Sequence, residues 1–287
     1  MADSSLITLT EITNNNRAAR MAEQGWRYFN ARDDVGNDAD NCGICWKTEV
    51  WHRKDAWIRK LSARRWIRIQ TQRPGPPLWS CNVVLKHVLS DRTLLVSLSH
   101  LPPAVQGYWR NPGPEQFRAR KEAYTDAMHQ WKNGVIQAER KWQPDGVLVV
   151  ADWNLDLKED WVREYLDGLW KECGLIRAWT NFGTAGSSLG GNRQIDGSYY
   201  GGMTKAIEPF LMPRVASSDH RPYKESFTIM GGMDIAKPGA QDPSEGQTSP
   251  GKPWWGFGDY QYDEMFEKVT VTDEGTVVTF DFDSPPY

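Results

Sequence analysis

The sequence predicts an α/β fold, and three observations carry that prediction. Gly146 to Ala151 (GVLVVA) is an unbroken apolar run, the pattern of a strand buried on both faces. Two stretches with helical spacing flank it, one opened by Pro112-Gly113-Pro114-Glu115 and the other running from about Lys158 to Cys173. Shorter segments that alternate apolar with polar residues read as further strands. With 287 residues, 39% of them hydrophobic and 12% aromatic, the chain can bury a core as one large α/β domain or two modest ones. That composition excludes a disordered chain.

From the N-terminus, Leu6 to Ile12 (LITLTEI) alternates apolar residues with Thr and reads as a strand. Asn14-Asn15-Asn16 offers caps for a helix on which Ala18, Met21, Ala22 and Trp26 recur. Asp33 to Asn41 is a polar loop, and Gly43 to Arg53 reads as a strand that continues, after a turn, into Trp57-Ile58. Trp66 to Gln70 is a short strand, and Arg73-Pro74-Gly75-Pro76-Pro77 is a breaker. Val83 to Val88 and Thr93 to Leu98 form a hairpin about Ser90-Asp91-Arg92. On the first long helix Phe117, Lys121, Tyr124, Met128, Trp131, Val135 and Trp142 lie mostly along one side. On the second, Trp161, Tyr165, Leu169 and Trp170 form the buried side. Ile195 and Tyr199-Tyr200 belong to a short strand after a Gly-rich loop, and Tyr223 to Met230 is the last core strand.

Composition shifts beyond Met230. Residues 231–253 are rich in Gly, Pro, Ser and Gln, as a linker is. Residues 254–287 hold the aromatic cluster Trp254-Trp255-Gly256-Phe257. They also hold a hairpin that pairs Lys268 to Val271 with Thr276 to Phe280. The α/β domain is therefore expected over residues 1–230.

A formal net charge of -3 gives no global attraction to nucleic acid, so any phosphate-binding surface must be a local patch helped by metal ions. Four cysteines are too few for a disulfide scaffold, and Cys42 and Cys45 form a CxxC with no second pair of suitable spacing. Two ordinary thiols in a strand are the expectation there, in a reducing compartment. No basic-then-apolar leader is visible at Met1 to Ser5, and no run approaches the roughly 20 apolar residues a membrane span needs. A cytoplasmic or particle-associated protein without membrane contact is expected.

Polar residues of catalytic type recur at the ends of predicted core strands: Glu11, His100, Asp152 with Asn154, Asp196, and Asp219 with His220. Strand ends along one rim of a sheet are where α/β proteins place sites, because the scaffold fixes the side chains while loops leave access. Carboxylates gathered there can hold a hard cation such as Mg²⁺ or Mn²⁺. Two histidines beside them add proton donors or acceptors near neutral pH. Taken singly, each residue has a plainer reading: a solvated edge charge, a helix cap or an ordinary turn.

In order and spacing, the series resembles the endonuclease/exonuclease/phosphatase superfamily, to which DNase I, abasic-site endonucleases, inositol phosphate 5-phosphatases and sphingomyelinases belong. Leu9-Thr10-Glu11-Ile12 resembles its "LQEv" strand, and Ser99-His100-Leu101 its "tHL" strand end. Ala151-Asp152-Trp153-Asn154 resembles "GDFN", Gln194-Ile195-Asp196 resembles "rID", and Ser218-Asp219-His220-Arg221-Pro222 resembles "SDHxP". The likeness spans about Leu6 to Met230. It implies a four-layer α/β sandwich, two mixed β-sheets packed face to face with helices outside.

The resemblance also implies roles. Glu11 would hold the metal against a phosphate oxygen, with Asp219 as a second metal-side carboxylate. Asp152 would orient or deprotonate the attacking water, and Asn154 would fix phosphate and water. His220, held by Asp196, and His100 would donate to the phosphoryl oxygens as charge builds there. Glu49 is a further candidate, because DNase I-like enzymes pair a second-strand Glu with the histidine of the "HL" motif. An outward strand residue beside Lys47 is the plainer reading. Two departures stand out: the family's opening strand with its Trp-Asn dipeptide has no visible equivalent, and the glycine of "GDFN" is Ala151. A missing strand would leave a gap or an exposed edge in one sheet.

The expected activity is hydrolysis of a phosphodiester with Mg²⁺ or Mn²⁺, foremost in DNA. Arg64, Arg65, Arg68, Arg73, Arg118, Arg120, Arg193, Arg214 and Arg221 are candidates for phosphate contacts, and Trp109 or Trp153 for stacking on a base. The rival expectation is a nuclease-like scaffold without the reaction, whose extension from Gly231 onward docks a protein partner.

Overall fold

The computed structural model describes residues 5–10, 24–30, 42–62, 77–103, 105–106, 114–179, 193–212, 220–221 and 223–230. The helix expected after Asn16, the strand expected at Trp66 to Gln70, the linker and the C-terminal hairpin lie outside the described residues, apart from Trp26. Three strands come first: β1 (Leu6–Leu9), β2 (Trp26–Asn30) and β3 (Gly43–Lys47) form an antiparallel sheet in the order β1-β3-β2. Trp26 was expected on a helix but opens β2. Gly25 before it has a φ of 78°, a turn conformation that costs glycine nothing, and β2 then pairs with β3 along its whole length.

A six-stranded mixed sheet follows. It contains β4 (Trp51–Ser62), β5 (Leu78–His87), β6 (Thr93–His100), β7 (Gly146–Asp152), β8 (Ile176–Arg177) and β9 (Asp196–Gly201), in the order β4-β5-β6-β7-β9-β8. Only β6 and β7 run parallel, joined by the crossover helix α1 (Pro114–Trp142). The expected single strand at Gly43 to Arg53 is thus two, β3 and β4, separated by the turn at Thr48 to Val50. The second helix, α2 (Asp160–Lys171), buries Val162, Leu166, Leu169 and Trp170, whereas Trp161 and Tyr165 are half-buried. A last antiparallel pair, β10 (Met203–Leu211) with β11 (Tyr223–Ile229), completes the described strands. β10 was not foreseen. Its alternation is broken by two register shifts and by Pro209. Gly202 lets β9 turn into β10, with a φ of 69° and a Cβ position only 2.2 Å from the Asp145 carbonyl oxygen.

The register assigns the two faces of the large sheet. Leu85, Val83 and Cys81 of β5 stand opposite Leu94, Val96 and Leu98 of β6, and the latter two stand opposite Leu148 and Val150 of β7. This inner face meets the other strands: Cys81 Sγ contacts the Phe29 carbonyl of β2, and Tyr200 stacks on Phe227 at 4.7 Å between ring centroids. Leu6, Ile44, Trp46, Phe227 and Ile229 join the same apolar core. Each Val or Leu buried there stabilises the fold by on the order of 1.5–3 kcal/mol. The outer face carries the helices. Trp131 of α1 donates to Ser97 Oγ at 2.6 Å, and Trp131, Trp153, Trp170 and Tyr199 pack as an aromatic block. Cys42 joins the main core and Cys45 a small cluster with Ile7 and Trp26, so the CxxC thiols serve opposite faces of β3.

Candidate active site

Three neighbouring strands bring charged residues to one level. In the parallel pairing of β6 with β7, His100 stands opposite Asp152; in the antiparallel pairing of β7 with β9, Asp152 stands opposite Asp196. Strands lie about 4.8 Å apart, so three side chains at one register position on one face are within mutual reach. All three are buried. His100 Nε2 is 3.5 Å from Asp152 Oδ2. From the far side, just ahead of β11, His220 brings its Nδ1 to 3.0 Å from the Asp196 carboxylate, with both side chains fully buried. That contact fixes which imidazole nitrogen faces the acid.

The chain after β7 is held to the same frame. Asn154 has a φ of 49°, left-handed backbone that Asn tolerates better than most residues. Its backbone N–H donates to Asp152 Oδ1 at 2.8 Å, and its Nδ2 donates to the Leu101 carbonyl at 2.8 Å, just past His100. Tyr124 Oη of α1 donates to the Trp153 carbonyl, and Trp153 Nε1 donates to the Gly197 carbonyl, each at 3.0 Å. Asp156 Oδ1 accepts from the Gln194 N–H at 3.0 Å, and Gln194 Nε2 donates to the Asp196 carbonyl at 2.5 Å. Tyr124 and Asp156 are not expected at the site from the sequence, and Gln194 stands in the "rID"-like stretch without a role of its own. Nothing in their local pattern separates them from ordinary helix and loop residues.

Burial is the main reason that the Asp152 carboxyl rises from 3.8 to about 6. Asp196 pushes it up as well, while His100, His220 and the Asn154 N–H pull it down. A carboxyl placed there exchanges protons close to neutral pH, as a general base must.

Asp152, Asp196 and His220 each offer a ligand atom, and these atoms all lie within 4.8 Å of one another. Asp152 Oδ2 accepts no hydrogen bond among the described residues. Two carboxylates and an imidazole suit a hard or borderline divalent cation such as Mg²⁺ or Mn²⁺, so the residues present fit a metal. Of the seven residues expected from the sequence, His100, Asp152, Asn154, Asp196 and His220 come together; Glu11 and Asp219 lie outside the described residues. Glu49 does not join them. It is exposed in the turn after β3, 3.9 Å from Lys47. Trp153, offered for base stacking, is fully buried among Trp131, Trp170 and Tyr199 and has no face to give a base. Arg120 is likewise buried, and donates to the Pro103 carbonyl.

No family model matches the sequence, and no curated protein matches it. Solved structures do. An endonuclease/exonuclease/phosphatase family protein from Bacteroides thetaiotaomicron superimposes with a TM-score of 0.54 at 14% identity, over 77% of this chain and 79% of that one. A mannosyl-6-phosphatase from the same organism gives a TM-score of 0.51 at 14% identity, over 77% and 84%. The catalytic domain of human Nocturnin, solved with bound sulfate, gives 0.50 at 12% identity, over 75% and 77%. At such identities the likeness speaks for architecture alone. The fold of this chain is that of the endonuclease/exonuclease/phosphatase proteins, the DNase I-like α/β sandwich.

Proposed function

We propose that this chain is a divalent-metal-dependent phosphoester hydrolase that cleaves a phosphodiester, with endonucleolytic cleavage of DNA as its reaction. One observation carries the reading. His100, Asp152 and Asp196 share one register level on three adjacent strands, and His220 docks on Asp196 from just ahead of β11. A scaffold with no reaction has no physical reason to bury two carboxylates and two imidazoles together, because each costs desolvation.

In this reading Asp152 takes a proton from the attacking water, held in place by the Asn154 N–H on its other oxygen. Asn154 is fixed by Leu101 and orients water and phosphate. Asp196 holds His220 through Nδ1, which leaves Nε2 to donate to the phosphoryl oxygens as negative charge grows, and His100 donates beside it. Asp196, with Glu11 and Asp219, would hold Mg²⁺ or Mn²⁺, which would supply charge neutralisation at the phosphoryl oxygens. The mannosyl-6-phosphatase among the similar structures keeps phosphomonoesters in the test panel.

The test is cleavage of supercoiled plasmid, single-stranded DNA, RNA, a generic phosphodiester and a phosphomonoester with Mg²⁺ or Mn²⁺, comparing wild type with Asp152→Ala and His220→Ala. Metal-dependent cleavage that drops about 10²–10⁴-fold in both variants is expected. A wild type as inert as the variants on every substrate would remove the hydrolase reading and favour the scaffold that docks a partner through its extension from Gly231 onward.

A further inference from the structure

Glu225 is a fully buried carboxyl that the hydrolytic scheme does not use. It lies on β11 in phase with Phe227 and Ile229, facing the large sheet. Ser198 Oγ of β9 donates to Glu225 Oε2 at 2.5 Å, and Oε1 has no hydrogen-bond partner among the described residues. Ser198 is two residues beyond Asp196 on the same face of β9, and Glu225 is five residues beyond His220. Two polar rungs therefore join the same two segments: His220 to Asp196, and Glu225 to Ser198.

The spans of the two rungs differ. Asp196 and Ser198 are separated by about 7 Å along an extended strand, while five residues can span about 17 Å. Chain continuity between His220 and Glu225 therefore permits more than one placement of the imidazole. The ladder to β10 also holds β11, but its register shifts between Ile207 and Phe210, opposite Glu225, and Tyr200 against Phe227 is an apolar stack that resists sliding weakly compared with a directional hydrogen bond.

We infer that Glu225 is a positioning residue for His220: through Ser198 it pins β11 to β9, and so sets the imidazole against Asp196. The inference rests on His220 being a functional group of the site. Burial lifts the Glu225 carboxyl to about 8, against the Ser198 hydroxyl and the charge of Lys205, which pull it down. Near neutral pH the rung is thus a neutral carboxyl, and glutamine is its close mimic in shape and charge.

The experiment follows the His220 ring by NMR in protein with ¹⁵N-labelled histidine, needing neither substrate nor metal. The wild type should give a slowly exchanging imidazole N–H signal that is absent in His220→Gln. Glu225→Gln should keep that signal at its position. Glu225→Leu should lose it, or exchange it at least about tenfold faster, at a temperature where melting curves show the variant folded. Should Glu225→Leu not fold, Ser198→Ala removes the same rung without changing buried volume greatly, and the same loss is expected. A signal unchanged in Ser198→Ala and Glu225→Leu, or lost equally in Glu225→Gln, overturns the inference, as does a wild type without it. Retention in Gln with loss in Leu, in a protein that cleaves no phosphoester, would uphold the positioning role and sink the hydrolase reading alone.

Discussion

On the outer face of the six-stranded sheet, beneath α1, Trp131 Nε1 donates to Ser97 Oγ at 2.6 Å, and Ser97 Oγ donates to Asn82 Oδ1 at 2.6 Å. Asn82 Nδ2 in turn reaches Ser80 Oγ at 3.0 Å and the Trp57 carbonyl at 3.3 Å. On the inner face, at the ends of β6, β7 and β9, His100, Asp152 and Asp196 are buried as deeply. There Asp152 Oδ2 accepts no hydrogen bond among the described residues, and the His100 ring lies 3.5 Å from it. The outer network is neutral and joined end to end; the inner one gathers ionisable groups and leaves one carboxylate oxygen, Asp152 Oδ2, open among the described residues. Closed neutral networks fix packing, whereas clustered buried ionisable groups mark candidate functional sites.

Substitutions should separate the two faces, most strongly at Asp152. Asp152→Asn should lower phosphoester cleavage by about 10³-fold or more, because the proton acceptor is gone. The same change should stabilise the metal-free fold. A carboxyl raised from 3.8 to about 6 lets the unfolded chain ionise first, so stability is lost as pH rises from about 4 to about 6 and is not regained above. Asparagine escapes that loss, so Asp152→Asn should melt as a protein more stable by about 1–3 kcal/mol at pH 7. Wild-type activity should fall on the acid side of neutral, as Asp152 takes up its proton. A destabilised Asp152→Asn, or activity flat down to pH 5, would place Asp152 in the structural class instead.

Asn82 should behave in the opposite way. Asn82→Ala strands Ser97 Oγ, Ser80 Oγ and the Trp57 carbonyl, and should cost about 1–3 kcal/mol in denaturant unfolding. Cleavage per folded molecule should change by no more than about twofold, since the network ends at α1 and does not reach the inner face. A large loss of activity in the folded variant would join the two networks into one.

The strands and helices most legible in the sequence are those whose pattern is set by burial alone. β7 announces itself because both its faces are covered, and α1 because its apolar residues repeat along one side. β10 was illegible because its register shifts and Pro209 disrupt the alternation. At the site, the five described residues were legible as motifs in series, but their partners were not. Tyr124, Asp156 and Gln194 act through backbone carbonyls and N–H groups, which leave no residue pattern. Glu225 did leave one: a carboxylate in phase with Phe227 and Ile229 on the apolar face of a strand signals a buried acid.

Glu49 makes the smallest and sharpest test of reading the site from resemblance. By sequence position it could partner His100, as a second-strand glutamate does in DNase I-like enzymes. The register places it elsewhere. Leu9 of β1, the end that leads to Glu11, pairs with Gly43 at the start of β3, while Leu6 pairs with Trp46 at the end that leads to Glu49. Glu49 therefore leaves β3 at the edge opposite the one that β1 extends toward Glu11, exposed and loosely paired with Lys47. An exposed pair of this kind contributes about 0–1 kcal/mol. Glu49→Gln should leave stability within about 0.5 kcal/mol and cleavage within about twofold of wild type. A loss near that of Asp152→Asn would mean that Glu49 reaches the inner face in the working enzyme, and the division between the two ends of the sheet would have to be redrawn.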